Sequence, residues 1–358
     1  MSSCLDEIEL DVPRGESEAV VVEGRLIKGN PSSISVSVQR IFAFDGTSSV
    51  LKINNVDLFT ESGSVIDLVK DADGEFSQVF DDNNPLEILS TERYKLRVEL
   101  FDGRVVESDF QEIQTTNAED QLSLSIQPRQ IFSEDRGEFV TREKVIVDLQ
   151  SQISNIQSDP KRYRWTVERT FKLTDSPDAY LIRDPNDRQS FLMPKTCYVT
   201  DNVALTSSVL FDGNTSDKDN FMFEEEIFDG TTNDYRYSDT MYLEVVQEAL
   251  SEGAFNYFDQ IAKVLSRTGS MFEPPAGQIT SNFTNIDNPE DDIFGYFYVT
   301  EQQRTRILVT PDMVGNPAPL CPAPTGEGWR PGQCPFLDCC DCLALPSSSL
   351  SPPDFWGR

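Results

Sequence analysis

Residues 94–108 read Tyr94-Lys95-Leu96-Arg97-Val98-Glu99-Leu100-Phe101-Asp102-Gly103-Arg104-Val105-Val106-Glu107-Ser108, and this stretch decides the fold class. Tyr94, Leu96, Val98 and Leu100 alternate with Lys95, Arg97 and Glu99. A period of two puts the apolar set on one face of a strand and the charged set on the other. Asp102-Gly103 tolerates positive φ, so a tight hairpin is expected to join Tyr94–Phe101 to Arg104–Ser108. The same alternation recurs upstream, where Ile34, Val36 and Val38 alternate with Ser35, Ser37 and Gln39, and the run Val20–Ile27 reads as another strand. Strands at roughly 10–15 residue spacing without intervening helices point to an antiparallel sandwich. Phe-Asp-Gly also occurs at Phe44-Asp45-Gly46, Phe211-Asp212-Gly213 and Phe228-Asp229-Gly230, and each is read as turn chemistry.

Working outward, a second strand-rich region opens near residue 116. Its first strands are Leu122–Ile126, Val145–Leu149 and Tyr163–Glu168, with Trp165 most simply a core residue, and Tyr242–Val246 follows. A single amphipathic helix is expected over Glu252–Arg267, capped by Ser251 and closed by Gly269. Phe255, Phe258, Ala262 and Leu265 would form its core-facing stripe. Strands return at Phe294–Thr300 and Arg306–Thr310. The expected fold is therefore mostly β: a tether over 1–18, a sandwich domain over 19–115, a second β-rich domain with the helix over 116–310, and a Pro/Cys-rich tail over 311–358. A length of 358 residues suits two domains at roughly 150 residues each.

Composition narrows the function. Thirty Lys and Arg stand against 61 Asp and Glu, a net charge of −31. That balance disfavours nucleic acid, which gains affinity from cationic side chains that release its counterions, and it disfavours a flat anionic bilayer. The 23 Phe and 10 Tyr are a heavy aromatic load for a disordered chain, so an acidic folded protein is expected. There is no histidine. A Ser-His-Asp triad, a Cys-His dyad and a His-ligated zinc site are thereby excluded, and catalysis is not expected. No phosphate loop, dinucleotide fingerprint or nucleophile elbow appears. Among 61 acids no glycosidase pair can be nominated, although a carboxylate-based hydrolase stays on the list.

Seven cysteines are present, and Cys4 stands apart from Cys197, Cys321, Cys334, Cys339, Cys340 and Cys342. Met1-Ser2-Ser3-Cys4 reads like the end of a lipobox, with Cys4 as the lipidation site; an ordinary thiol near an arbitrary start is the competing reading. Six cysteines allow fifteen pairings in three disulfides. Five of them fall within 321–342, a Pro- and Gly-rich stretch that cannot build a core, where cross-links would supply the order. A metal knuckle at Cys339-Cys340-Asp341-Cys342 is the alternative, but the spacing does not match paired zinc ribbons. Disulfides imply an oxidising compartment, with Cys197 anchoring the tail. With no apolar run long enough to span a bilayer, membrane attachment would rest on lipid at Cys4. Asp71, Asp73 and Glu75 are a weak calcium candidate; Gly74 is fourth from Asp71 rather than sixth as an EF-hand requires, so a hairpin turn is the competing reading.

Several ordered segments resemble a domain-of-unknown-function family of Bacteroidota outer-membrane lipoproteins encoded beside TonB-dependent receptors. They are Cys4 with its acidic tether into Val20-Val21-Val22-Glu23-Gly24, then Tyr94-Lys95-Leu96 with Asp102-Gly103, then Cys197-Tyr198-Val199. The block Met271-Phe272-Glu273-Pro274-Pro275-Ala276-Gly277-Gln278-Ile279 followed by Gly295-Tyr296-Phe297 is the most specific element, and the tail closes on Pro353-Asp354-Phe355-Trp356. The Cys321–Cys342 insertion is richer in cysteine than the usual family tail. The resemblance implies a transthyretin- or immunoglobulin-type first domain and a lipoprotein on the outer face of the outer membrane, with Asp6 and Glu7 similar to export signals. It implies an accessory subunit over a β-barrel partner, a TonB-dependent receptor or a barrel-assembly complex, with no catalytic residues to transfer. A surface substrate-binding lipoprotein that captures glycan, peptide or a metal complex in a cleft of the second domain is the alternative.

Overall fold

A computed structural model of the protein describes residues 18–29, 31–42, 48–72, 74–81, 86–133, 135–154, 156, 157, 159–181, 193–203, 208–266, 279–315, 317–321, 334 and 336–357. Residues 1–17 of the expected tether, with Cys4, Asp6 and Glu7, lie outside them, as do Phe44-Asp45-Gly46, Asp73, Arg267, Gly269 and residues 271–278. The fold is mostly β. It divides into two compact units, one of Met1–Gln114 with Pro275–Thr300 and one of Thr115–Pro274 with Glu301–Arg358. The second unit is therefore not the contiguous span 116–310: residues 275–300 go back to the first unit, and the tail belongs to the second.

In the first unit Glu18–Lys28 and Ser32–Phe42 pair antiparallel, with Val22 opposite Val38 and Leu26 opposite Ile34, and Glu75–Phe80 lies on the far side of Ser32–Phe42. Arg93–Leu100 pairs with Ile53–Thr60 and with Val105–Ser108. The alternation read from sequence decides what is buried: Val20, Val22, Ile34, Val36 and Val38 share one core with Val56, Leu58, Tyr94, Leu96 and Val98. Each such aliphatic side chain contributes roughly 1.5–3 kcal/mol by leaving water.

The returning segment explains why 275–300 belongs here. Phe283–Asn285 pairs with Val105–Ser108, Ile293 and Phe294 run parallel beside Val20 and Val21, and Val299 lies opposite Ile113. Asn282 locks the entry, donating from Nδ2 to the Phe297 carbonyl and accepting the Phe297 amide at 2.9 Å. Gly295 permits the bend, with φ at +102° and a β-carbon position that would fall inside the Val22 carbonyl.

The Asp102-Gly103 hairpin has a three-residue loop rather than two central residues at positive φ. Gly103 donates to the Leu100 carbonyl at 3.0 Å and the Leu100 amide bonds Arg104 at 2.9 Å, with only Gly103 at positive φ. Two other Phe-Asp-Gly sites depart further from expectation. Asp212 caps a 3-10 turn over Gly213–Thr215, and Phe228-Asp229-Gly230 lies inside the strand Phe221–Thr231. Gly230 is there because the Tyr237 hydroxyl leaves no room for a β-carbon.

In the second unit Arg162–Thr174 pairs with Thr196–Asn202, Val209–Asp212 and Met241–Leu250, and Gln302–Val309 extends the sheet beside Met241–Leu250. A separate three-stranded sheet is made by Ala118–Ser133, Glu138–Ile153 and Phe221–Thr231. Trp165, Val167, Leu243 and Val245 from one sheet pack with Val145, Val147 and Leu149 from the other. The two expected strands near 294–300 and 306–310 are one strand, Phe297–Val309. Its polar middle reads as a loop, but Arg304 pairs with Glu168 at 3.0 Å and with the buried Glu244, which also takes Arg306.

The helix runs Glu252–Leu265, with Ser251 accepting from the Ala254 amide and Ser266 as C-cap. Its buried residues are Ala254 and Tyr257 rather than the expected stripe, and Leu265 is 64% exposed. Helical spacing gave a face but not its rotation; Phe258 instead lies under the Arg164 guanidinium, 3.9 Å from the ring centre.

Gly295→Ala is expected to lower stability by about 2–4 kcal/mol, through forced positive φ and overlap with the Val22 carbonyl, as read by urea unfolding. Wild-type stability in that variant would show that the bend is not fixed by backbone contact.

Candidate functional site

One exposed apolar feature of the second unit arises from the length of two strands. Ala118–Ser133 and Glu138–Ile153 pair without interruption over sixteen positions, whereas Phe221–Thr231 accompanies them only from Lys144 to Ile153. Beyond Lys144 the hairpin is a two-stranded ribbon among the described residues. Its end is closed by Arg136 and Gly137, whose amides donate to the Ser133 carbonyl, with Gly137 at φ +65°. Phe132 and Phe139 stand opposite each other near this end, their rings edge to face at 5.4 Å, and are 55% and 70% exposed. By alternation they continue the face that carries Val145, Val147 and Leu149 into the core. An isolated two-stranded ribbon is marginal in water, and here it carries two exposed rings at its end.

The base of the ribbon is held by a polar centre. Trp165, fully buried, donates from Nε1 to Asp120 at 2.9 Å, and Gln247 donates to the other Asp120 oxygen at 2.7 Å. Thr116 donates to Gln247, and the Asn117 amide donates to the Tyr163 hydroxyl at 3.1 Å. Burial pushes the Asp120 carboxyl above the usual carboxylate range, against the hydrogen bonds from Trp165 and Gln247. This centre positions a strand.

The cysteines form a second constellation. Cys197 bonds Cys342, Cys321 bonds Cys339 and Cys334 bonds Cys340, with Cα separations of 5.9, 5.7 and 6.1 Å. Cys339 and Cys340 thus take different partners. The fully buried Asp175 joins the same anchor, accepting the Lys195 amide at 2.6 Å and the Cys342 amide at 3.1 Å. Its hydrogen bond to Lys195 is the main reason that the ammonium titrates above its ordinary value. The end of the tail packs on the sheet, with Trp356 edge-on to Tyr198 and Tyr242, and Arg306 over the Phe355 ring at 4.2 Å.

The calcium candidate divides. Asp71 is exposed on the strand Val69–Ala72, Glu75 opens the strand Glu75–Phe80 and accepts the Ser37 hydroxyl at 2.9 Å, and Asp73 is outside the described residues. Among the described residues no group of three His, Cys, Asp or Glu side chains is arranged to hold a metal. Sequence reading passed over another acidic pair, Asp57 opposite Asp67. Burial first, then the Asp67 carboxyl, raises the Asp57 pKa to about 6, although Asn55 donates to it at 2.7 Å. The signal was a register, invisible until Ile53–Thr60 and Val65–Asp67 are paired. A cleft of about 450 Å³ lies in the first unit, with Lys28, Ser32, Phe80, Asp81 and Ile88 among its walls.

These features define a mostly β protein with an exposed aromatic ribbon and a disulfide-stapled tail. The model of the family described as a domain of unknown function, DUF4249, matches residues 5–306, and the chain belongs to that family. The cysteine-rich tail lies beyond the matched residues. No curated protein matches the chain. A solved DUF3823 family protein from Bacteroides ovatus is similar over 66% of this chain and 92% of its own, at 10% identity and a TM-score of 0.15, too low to carry an argument about fold or function.

Cys197→Ser with Cys342→Ser opens a closure across 145 residues and is expected to cost about 3–5 kcal/mol, with earlier proteolysis of the tail. Peptide mapping without reductant should find the three pairs above, and a different pairing would overturn this anchor. The Asp57 pKa, raised above its unfolded value, gives stability that is fully present below about pH 4 and lost as pH rises through about 6. Asp57→Asn is therefore expected to raise the melting temperature at pH 8 by about 1–3 °C, a partly exposed group having a small effect, and to leave it unchanged at pH 3.5.

Proposed function

We propose that the protein is a cell-surface lipoprotein, acylated on Cys4, that serves as a non-enzymatic accessory subunit of an outer-membrane β-barrel complex. The barrel would be a TonB-dependent receptor or part of the machinery for outer-membrane protein biogenesis and export. The observation that carries this reading is the ribbon with Phe132 and Phe139, 55% and 70% exposed. Aromatic rings paired across two strands supply a large contact area, which suits docking on another protein.

Two further features support it. Three disulfides in a tail without its own core suit an oxidising compartment rather than cytosol. No helix among the described residues is long and apolar enough to cross a membrane, so a lipid on Cys4 supplies the attachment in this reading. Capture of a small substrate at the surface is the second reading, favoured by the first-unit cleft; among the described residues its walls include a single aromatic ring, Phe80, which weighs toward docking.

Purification of the native protein from membranes in mild detergent is expected to recover a barrel partner. Phe132→Ser with Phe139→Ser should reduce that recovery about tenfold or more in a folded protein, and Cys4→Ser should release the protein to the soluble fraction. A lone species in detergent, or membrane attachment indifferent to Cys4, would sink the proposal.

A further inference from the structure

The outer edge of the strand Ala118–Ser133 carries a second feature, independent of the docking role. The strand has one neighbour, Glu138–Ile153, and no other strand pairs with it among the described residues. A long open edge is a template for another strand, and proteins protect it with short strands, charges or proline. Here protection begins late, at Pro128 and Arg129, and residues 119–127 carry none beyond two acids at their start.

The direction of the free backbone groups follows from Pro128, which sits in the strand opposite Glu143 in an unbroken register. Proline has no N–H, so the ladder to Glu138–Ile153 is kept whole only if position 128 turns its backbone groups outward. Even-numbered residues then present their amides and carbonyls to the open edge: Asp120, Leu122, Leu124 and Ile126.

We propose that this edge pairs with the same edge of a second copy, antiparallel about a two-fold axis at Leu124. The register tests itself against the sequence. Leu124 meets its own counterpart, Leu122 meets Ile126, Ser123 meets Ser125, Gln121 meets Gln127, and Glu119 meets Arg129. The half-buried Leu122, Leu124 and Ile126, which line the edge of the second-unit core, gain apolar neighbours. Two Glu119–Arg129 pairs form on the opposite face, Arg129 keeping its contact to Glu226 at 2.6 Å through one arm of the guanidinium. A shift of two residues in either direction loses the Glu119–Arg129 match. The Pro128 edge, lacking an N–H, ends the pairing at Asp120. Each copy carries −31, so the assembly tightens as salt screens the two bodies.

Light scattering or sedimentation of the full chain tests this. At physiological salt and about 100 μM the expected mass is twice 40.4 kDa. Ser123→Lys with Ser125→Lys places like charges opposite each other across the axis, on the face opposite Leu122, Leu124 and Ile126, and should shift the protein to monomer. Ser123→Glu with Ser125→Glu should do the same. Mixing the two variants should restore a dimer containing one of each, which unfolded or merely damaged chains would not give. A wild-type monomer under these conditions, a dimer that survives both charge variants, or a mixture that stays monomeric would each overturn the proposal.

Discussion

The hydrogen bond from the Trp165 indole to Asp120 organises the second unit. Trp165 belongs to the strand Arg162–Thr174 and Asp120 to the strand Ala118–Ser133, so this bond crosses from one sheet to the other. It can do so because the indole is fully buried and Phe223 stacks on it at 5.0 Å, 8° from parallel, leaving the N–H a single direction. A carboxylate withdrawn from water in this way needs donors on both oxygens, and Gln247 supplies the second. The strand held at Asp120 is also the one whose continuation forms the exposed ribbon and whose edge stays open.

Rigidity at one end and exposure at the other are therefore one construction. Leu122, Leu124 and Ile126 pack against the core, while the same strand past Pro128 has no third strand beside it among the described residues. The tail follows the opposite logic. It has little core, and Cys197–Cys342, the buried Asp175 and the rings of Phe355 and Trp356 fix it to the sheet. Covalent closure there replaces the burial that a Pro- and Gly-rich stretch cannot supply.

Much of this architecture was legible in particular residues. Tyr94, Leu96, Val98 and Leu100 alternate and are all buried, Ile34, Val36 and Val38 likewise, and Trp165 is core. Where sequence reading failed, a long-range partner decided. Glu301–Thr305 is polar enough to read as a loop, yet Arg304 meets the buried Glu244 and the strand runs on. Phe228-Asp229-Gly230 has turn composition, but pairing with Val145–Val147 and the close Tyr237 ring keep it extended. The ribbon was hidden because the strand was read only over Leu122–Ile126, short of Pro128, a residue that an edge strand tolerates.

The sequence by itself determined the mostly β class, the buried faces of the alternating strands, and the segregation of six cysteines from Cys4, because period-two patterning and composition are local properties. Only the tertiary structure decided that residues 275–300 return to the first unit, which cysteines pair, which face of the helix is buried, and that Phe132 and Phe139 meet in the open. Each of these depends on which distant segment lies alongside. A one-dimensional pattern sets what a strand can bury; the register against its neighbour sets what it does bury and what it leaves exposed.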